Sequence, residues 1–294
     1  MGLDESCLGI CYADNYLFYS VNSPGQDGFL KHIGSFEFNF NVKNAIINGD
    51  EYGFPALKTA LSNLREFHSC ESVKILAPAT EECWTVVPRS VYEDASERES
   101  HISLLMHGTE RSDIEATWHP LSNVDYKLML LRKSHSMQGF NQLLGSFSNA
   151  EYVSEFEVGS DWQTHSNTSG SFLMVNCLSS YISVSSFLLG KLRACTYLRY
   201  DNPADLPYLW KLYSGNLTWM NGIHEKIYVY GHQSRIISEI LTPYWDDSGT
   251  IHVMNTLQEM GVNAREKTYG FPLESAFPAI MMSLNLDTQI EQPA

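Results

Sequence analysis

The chain opens on two short apolar, β-rich runs, Leu8 to Ala13 and Tyr16 to Val21. They flank Asp14-Asn15, a pair that tolerates positive φ, so the pattern predicts two strands joined by a tight hairpin turn. A third alternating run, Phe29 to Phe40, follows a Pro24-Gly25 loop and predicts a third strand. From Pro55 the spacing changes to a helical one. Leu57, Leu61, Leu64 and His68 fall on one stripe behind a proline suited to a first turn. Val73 to Leu76 then predicts a short strand that ends at Pro78.

A middle stretch from about Val87 to Glu155 interrupts this plan. It predicts a polar helix over Ala95 to Met106, strands near Ile114 to His119 and Tyr126 to Leu131, and a helix carrying Met137, Phe140 and Leu144. A closing strand is expected near Glu151 to Phe156. The polar loop Thr164 to Gly170 marks a domain boundary. After it the opening pattern returns, with Phe172 to Leu178 and Tyr181 to Leu189 flanking Ser179-Ser180, and a third strand over Leu192 to Tyr200. Asn202-Pro203 caps a helix bearing Leu206, Leu209, Trp210 and Tyr213. Strands at Lys226 to Tyr230 and Ile251 to Met254 and helices at Ser234 to Leu241 and Ala276 to Leu284 complete the chain. Each half thus runs hairpin, third strand, helix, strand, which is the mark of a duplicated α/β fold.

Composition narrows the function classes. In 294 residues, 34 acidic against 19 basic side chains leave a formal charge of -15, which repels nucleic-acid and anionic-lipid phosphates. No nucleic-acid partner is expected. No apolar run reaches the roughly 20 residues of a membrane helix, and the acidic start (Asp4, Glu5) lacks an export signal, so the expectation is a cytoplasmic protein without direct membrane insertion. The six cysteines contain no C-x-x-C pair and read as free thiols, and the ten histidines show no ligand spacing, so neither metal nor cofactor is expected. No P-loop, Rossmann or nucleophile-elbow string occurs.

The order of elements resembles the actin-like ATPase superfamily, with an FtsA- and PilM-like layout. It is also similar to a divergent family of Bacteroides-group bacteria. The segment from Lys226 through Gly231-His232 resembles the family's strand, glycine turn and helix at the adenosine. The resemblance implies two ribonuclease-H-like domains, at 1–165 and 166–294, facing a nucleotide cleft, with a small α+β insert at about 87–155. It implies a hairpin turn of the form Asp-x-Gly-Ser/Thr in each half, whose carboxylate serves magnesium or water and whose small residues hold phosphate. Here the first Asp position reads Cys11 and its glycine Ala13; the second reads Asn176, followed by Leu178, Ser179 and Ser180. At the adenosine turn Gly231 is followed by His232. A thiol and an amide cannot replace two carboxylates.

Two readings follow. The first is a non-catalytic actin-like scaffold with a degenerate nucleotide cleft (Cys11, Ala13, Asp14, Asn15, Asn176, Ser179, Ser180, Gly231, His232), binding a protein partner, in association with a membrane-bound assembly by analogy. The second is an active ATP-dependent kinase or ATPase of the same fold, with Asp14 and a water-mediated metal in the missing roles; acidic pairs such as Asp246-Asp247 lie outside the hairpin turns. Candidate partner surfaces are Glu97 and Glu99 on the insert helix, and Tyr213 and Trp219 in an aromatic stretch of the second half.

Overall fold

The computed structural model describes residues 6–22, 28–70, 72–120, 125–168, 170–189, 191–222, 224–245, 249–265, 268 and 270–284. The Pro24-Gly25 loop and the Asp246-Asp247 pair lie outside them.

Three strands open the chain as an antiparallel meander: β1 (Cys7–Ala13), β2 (Tyr16–Asn22) and β3 (Phe29–Glu37). Helices α1 (Val42–Asn48) and α2 (Gly53–His68) lead to β4 (Ser72–Ala77), which lies parallel to β1. Then come β5 (Glu82–Pro88), α3 (Arg89–Glu93), α4 (Ala95–Leu105), β6 (Ile114–Pro120) and β7 (Tyr126–Lys133). The three strands among them form a separate antiparallel sheet in the order β5-β7-β6. Helix α5 (Ser134–Leu144) returns the chain to β8 (Asn149–Ser154), parallel to β4. Helix α6 (Val158–Ser166) opens onto a second meander, β9 (Ser171–Cys177), β10 (Tyr181–Leu188) and β11 (Lys191–Arg199). Helix α7 (Leu206–Asn216), β12 (Lys226–Tyr230), α8 (Ser234–Trp245) and β13 (Thr250–Val253) follow, with β12 parallel to both β9 and β13. A short β14 (Asn263–Ala264) and helix α9 (Leu273–Ser283) finish the fold.

The six-stranded sheet has the order β14-β3-β2-β1-β4-β8 and the five-stranded sheet β11-β10-β9-β12-β13. Apart from the β14 stub, the two orders are the same: meander first, then two parallel strands reached through helices. The duplicated ribonuclease-H-like plan is therefore real.

Several boundaries differ from the sequence reading. The strand expected to close the insert pairs along its whole length with β4, so the separate sheet covers 82–133. The third strand stops at Glu37 because Asn41 caps α1, its side chain accepting from Asn44 N at 2.9 Å. Helix α2 starts at Gly53, ahead of Pro55, since the Asp50 carboxylate accepts from Gly53 N at 3.0 Å. The polar loop near 164 is in part the end of α6, and β14 and α9, late in the chain, both join the first sheet.

Alternation along the central strands explains the layering. On β1, Leu8, Ile10 and Tyr12 face one core with α1, α2 and α5, whereas Cys11 and Ala13 face another. On β9, Leu173, Val175 and Cys177 turn toward α7 and α8, while Phe172 and Met174 join Cys11 and Ala13. Strands covered on both faces read as continuous apolar runs, as these do. The shared inner core also takes in α9, every residue of which is buried. The small sheet has its own core of Val87, Ile102, Ile114, Met129 and Leu131.

Helix α9 can reach β1 because Gly9 has no side chain. A Cβ there would fall 2.0 Å from the carbonyl oxygen of Ala279, a backbone atom that cannot rotate away. Gly9→Ala should therefore cost about 3 kcal/mol, the upper end of ordinary overpacking. Gly215→Ala, in α7 with nothing within 4 Å, should change stability by less than about 1 kcal/mol and in the stabilising direction. Urea denaturation of both variants checks the pair.

Candidate functional site

Strands β1 and β9 lead into the two hairpin turns, and the turns meet. Asp14, at φ 50°, and Asn15 make the first tip. Asp14 is held twice: its carbonyl accepts from Val42 N at 2.7 Å, and its carboxylate accepts from the Ser179 hydroxyl of the opposite tip. Asn15 ties the same tip to the end of β3 through Phe38 O, at 3.1 Å. In the second tip Leu178 N donates to Tyr181 O and Tyr200 N to Ser180 O, each at 3.0 Å, and the Leu178 side chain packs into the shared core.

Behind the tips the positions of interest are sealed. Cys11 and Asn176 are each 2% exposed. The Cys11 thiol donates to Ser275 O of α9 at 3.3 Å, and burial pushes its pKa up to about 12, so it stays a thiol. Ala13 is buried beside it. Asn176 lies under the turn after β12: a Cβ on Gly231 would come within 2.4 Å of Asn176 Oδ1 and 2.7 Å of Cys177 N. With φ at 99°, Gly231 is required on both counts. The Gly231 N–H donates to Glu274 O at 2.7 Å. That carbonyl is free for it because Pro278, four residues on, has no N–H to close the helical bond. His232 stands at the rim, its ring nitrogen 3.3 Å from Ser275 Oγ and its ring 5.5 Å from that of Tyr16.

Sequence reasoning missed three polar residues of this region. Glu155, just past β8, is 2% exposed and bridges the two halves: Tyr181 OH donates to it at 2.7 Å and Ala79 N at 3.3 Å. Burial raises its pKa to about 7, against the opposing pull of those donors and of Lys43. In the sequence it is one of three carboxylates in the run Glu151 to Glu157, and nothing local sets it apart. Lys43, in the first turn of α1, donates to Thr80 Oγ1 at 2.5 Å, lies 3.7 Å from Glu81 and sits 5.6 Å over the Tyr181 ring; burial lowers its pKa. Glu274, 5% exposed, pairs with Arg235 at 2.8 Å on the wall of a pocket of about 500 Å³ that Asn255 and Phe271 also line.

The remaining candidates lie elsewhere. Glu97 is exposed in the first turn of α4, whose N-cap Asp94 accepts from its amide at 3.0 Å. Glu99 binds Arg111 at 2.5 Å, and Arg111 also donates to Ile114 O at 2.8 Å, which fixes α4 to the start of β6. Tyr213 and Trp219 are half-buried and pack on the outer core of the second sheet. Among the described residues no group of three or more His, Cys, Asp or Glu side chains could hold a metal ion, and no helix is long and apolar enough to cross a membrane.

No family model and no curated protein matches the chain in sequence. Solved structures match its shape. A chain of the PilM–PilN type IV pilus biogenesis complex aligns with a TM-score of 0.68 at 12% identity, over 97% of each chain. A Bacteroides thetaiotaomicron protein with actin-like ATPase fold and unknown function aligns with a TM-score of 0.53 at 12% identity, over 95% of this chain and 96% of that one. The chain has the actin-like ATPase fold.

Glu155 makes stability depend on pH in a defined direction. Its pKa is about 7 when folded against the ordinary glutamate value of 4.5, so the folded state holds the proton more tightly. That contribution is complete below about pH 4.5 and is lost as pH rises through about 7. Glu155→Gln copies the protonated form, its amide N–H donating to the Tyr181 hydroxyl and its oxygen accepting from Ala79 N. The variant should match the parent at pH 4.5 and exceed it at pH 8 by about 1–3 kcal/mol, at about 1.4 kcal/mol per pKa unit. Chemical denaturation at the two pH values measures the difference.

Proposed function

We propose that this protein is a non-catalytic actin-like scaffold whose nucleotide cleft has become structural and whose role is to bind a protein partner. The observation that carries the reading is the fate of the two turn positions. Cys11 and Asn176 stand where the fold's chemistry calls for carboxylates, and both are buried in internal contacts. The hairpin tips, which would have to cradle phosphate, instead hydrogen-bond to each other through Ser179 and Asp14. Asp14, the carboxylate on which an active enzyme of this fold would depend, is the acceptor in that contact. The likeness to a chain of the PilM–PilN complex supports a life as one component of a protein assembly, and association with a membrane-bound assembly is part of the proposal.

The insert is the surface we assign to the partner. Its strands and helices have a core of their own and, among the described residues, no counterpart in the second half, so the duplicated plan does not require them. Helix α4 buries Ile102 and presents Glu97 outward.

Two outcomes are expected. Mg-ATP should leave the melting temperature unchanged, whereas ligand at a hundred times its dissociation constant would add ~2.7 kcal/mol. A saturable rise of that size, abolished by Asp14→Ala, would establish the kinase reading instead. Glu97→Lys combined with Glu99→Lys should weaken capture of an identified partner while moving stability by no more than about 1 kcal/mol, because exposed ion pairs contribute little. Pull-down and thermal melts of parent and double variant test it, and equal retention of the partner would remove this face from the contact.

A further inference from the structure

Among the described residues the first sheet ends at β8 on one side and, beyond the β14 stub, at β3 on the other. Among the described residues β14 is the only strand outside β3, and it pairs with Phe29 and Leu30 alone. From Lys31 to Glu37 the outer side of β3 carries no strand among those residues, a run of roughly 23 Å at about 3.3 Å per residue. Open edges of this length are templates for another strand. This edge lies at the opposite end of the sheet from β8.

A groove of about 730 Å³ runs directly beside it, lined by Tyr19, His32, Phe36, Asn63, Phe67 and His68 among others. The strand register explains the lining. Val21 lies opposite His32, Tyr19 opposite Gly34 and Leu17 opposite Phe36, so His32, Gly34 and Phe36 share the face that α2 overhangs. Gly34 leaves the space that the Tyr19 ring occupies, for a Cβ there would fall 2.5 Å from Tyr19 Oη. The rings form a continuous wall: Tyr19 and Phe36 stack at 5.6 Å, His32 and His68 sit 4.4 Å apart, and Phe67 meets His68 edge-on at 4.9 Å. Phe67 is 79% exposed at its rim, with Glu66 beside it. On the other face of β3 the outward residues are Ser35 and Glu37.

We propose that the β3 edge and this groove receive an extended segment of a partner protein, added to the sheet as the strand that continues the line of β14. Backbone pairing along 31–37 supplies the affinity, and the groove takes an aromatic or aliphatic side chain at every second position of the incoming strand. On the alternate face only the end of the run is acidic, at Glu37, which accepts from Tyr16 Oη at 3.0 Å, whereas Lys31 stands at the other end. The incoming segment therefore carries lysine or arginine at the position beside Glu37, where opposite charges across neighbouring strands are favourable, in keeping with a chain of net charge -15. A second copy of this chain would bring another -15 to the contact and is disfavoured. The inference is independent of the insert surface, because the two lie on different parts of the molecule.

The test uses the full chain as bait for a displayed library of random decapeptides. The selected peptides should place apolar or aromatic residues at every second position and a lysine or arginine at the position beside Glu37, and the binding of a synthetic copy should slow amide exchange across 31–37. Phe67→Ser, at an exposed position where folding is undisturbed, should weaken that peptide at least tenfold. Glu37→Lys should reduce the preference for basic residues, and Glu97→Lys with Glu99→Lys should leave binding unchanged. The proposal is overturned if no peptide is enriched, if enriched peptides protect another segment, or if Phe67→Ser binds them as well as the parent. It is equally overturned if sedimentation of the free protein shows a dimer that already protects 31–37, since the second copy would then own the edge.

Discussion

The close approach of α9 to β1 is the constraint from which the rest of the molecule follows. Along its inner face β1 carries Cys7, Gly9, Cys11 and Ala13, residues small enough for a helix backbone to lie against them. The two thiols donate to that backbone, Cys7 to Met282 O at 3.8 Å and Cys11 to Ser275 O at 3.3 Å, while Ser283 reaches Ser20 of β2 at 3.1 Å. A helix buried on all sides must be apolar all round, and α9 is close to that. Its far side meets Trp162, with ring centroids of Trp162 and Phe277 5.9 Å apart, and Tyr230, 4.9 Å from Phe277. One helix therefore joins the inner faces of both sheets into a single core.

The same contact accounts for the unusual residues of the cleft. A carboxylate at position 11 would meet the carbonyl of Ser275 in a site 2% exposed, where an acceptor facing an acceptor is costly. A thiol fits because it is small, is neutral and can donate. Pro278 has a matching effect further along: it frees Glu274 O, and the turn at Gly231 closes on that carbonyl. The thiol at position 11 and the closure of the Gly231 turn on Glu274 O thus both follow from where α9 lies. Glu155 completes the lock. Kept near neutral by burial, it can take a hydrogen bond from Tyr181 across the halves without the full cost of a buried charge.

How much of this was legible in the sequence depends on whether a feature is local. The hairpins were readable because Asp14-Asn15 and Ser179-Ser180 interrupt apolar runs where a turn must lie, and the duplicated order followed from them. Helix α1 was hidden behind an aromatic run, Phe36, Phe38 and Phe40, that has the period of a strand; the Asn41 cap decided the matter locally. The insert boundary was misplaced because β8 and a strand of a small sheet look alike in pattern, and only pairing with β4 separates them. Glu155 and the small-residue face of β1 were invisible in principle. Their meaning comes from partners far away in the chain, and periodicity reports which face a residue shares but not what covers it. The exposed aromatic stretch expected at Tyr213 and Trp219 is half-buried for the related reason that large rings on an amphipathic helix are first used to fill the core beneath it.

Recognition by this molecule is most economically placed on its outside. Inside the cleft, donors and acceptors are matched to one another: Ser179 to Asp14, Tyr181 to Glu155, Lys43 to Thr80 and Glu81. A ligand entering there would have to displace bonds already made, and each exchange would return little, since the net gain of a hydrogen bond is only about 1 kcal/mol. At the β3 edge the balance is different. Backbone groups on its outer side face no strand among the described residues, and Phe67 is 79% exposed beside them. In this actin-like fold, matched polar groups thus lie between the hairpin tips, and the exposed apolar surface of Phe67 lies at the β3 rim.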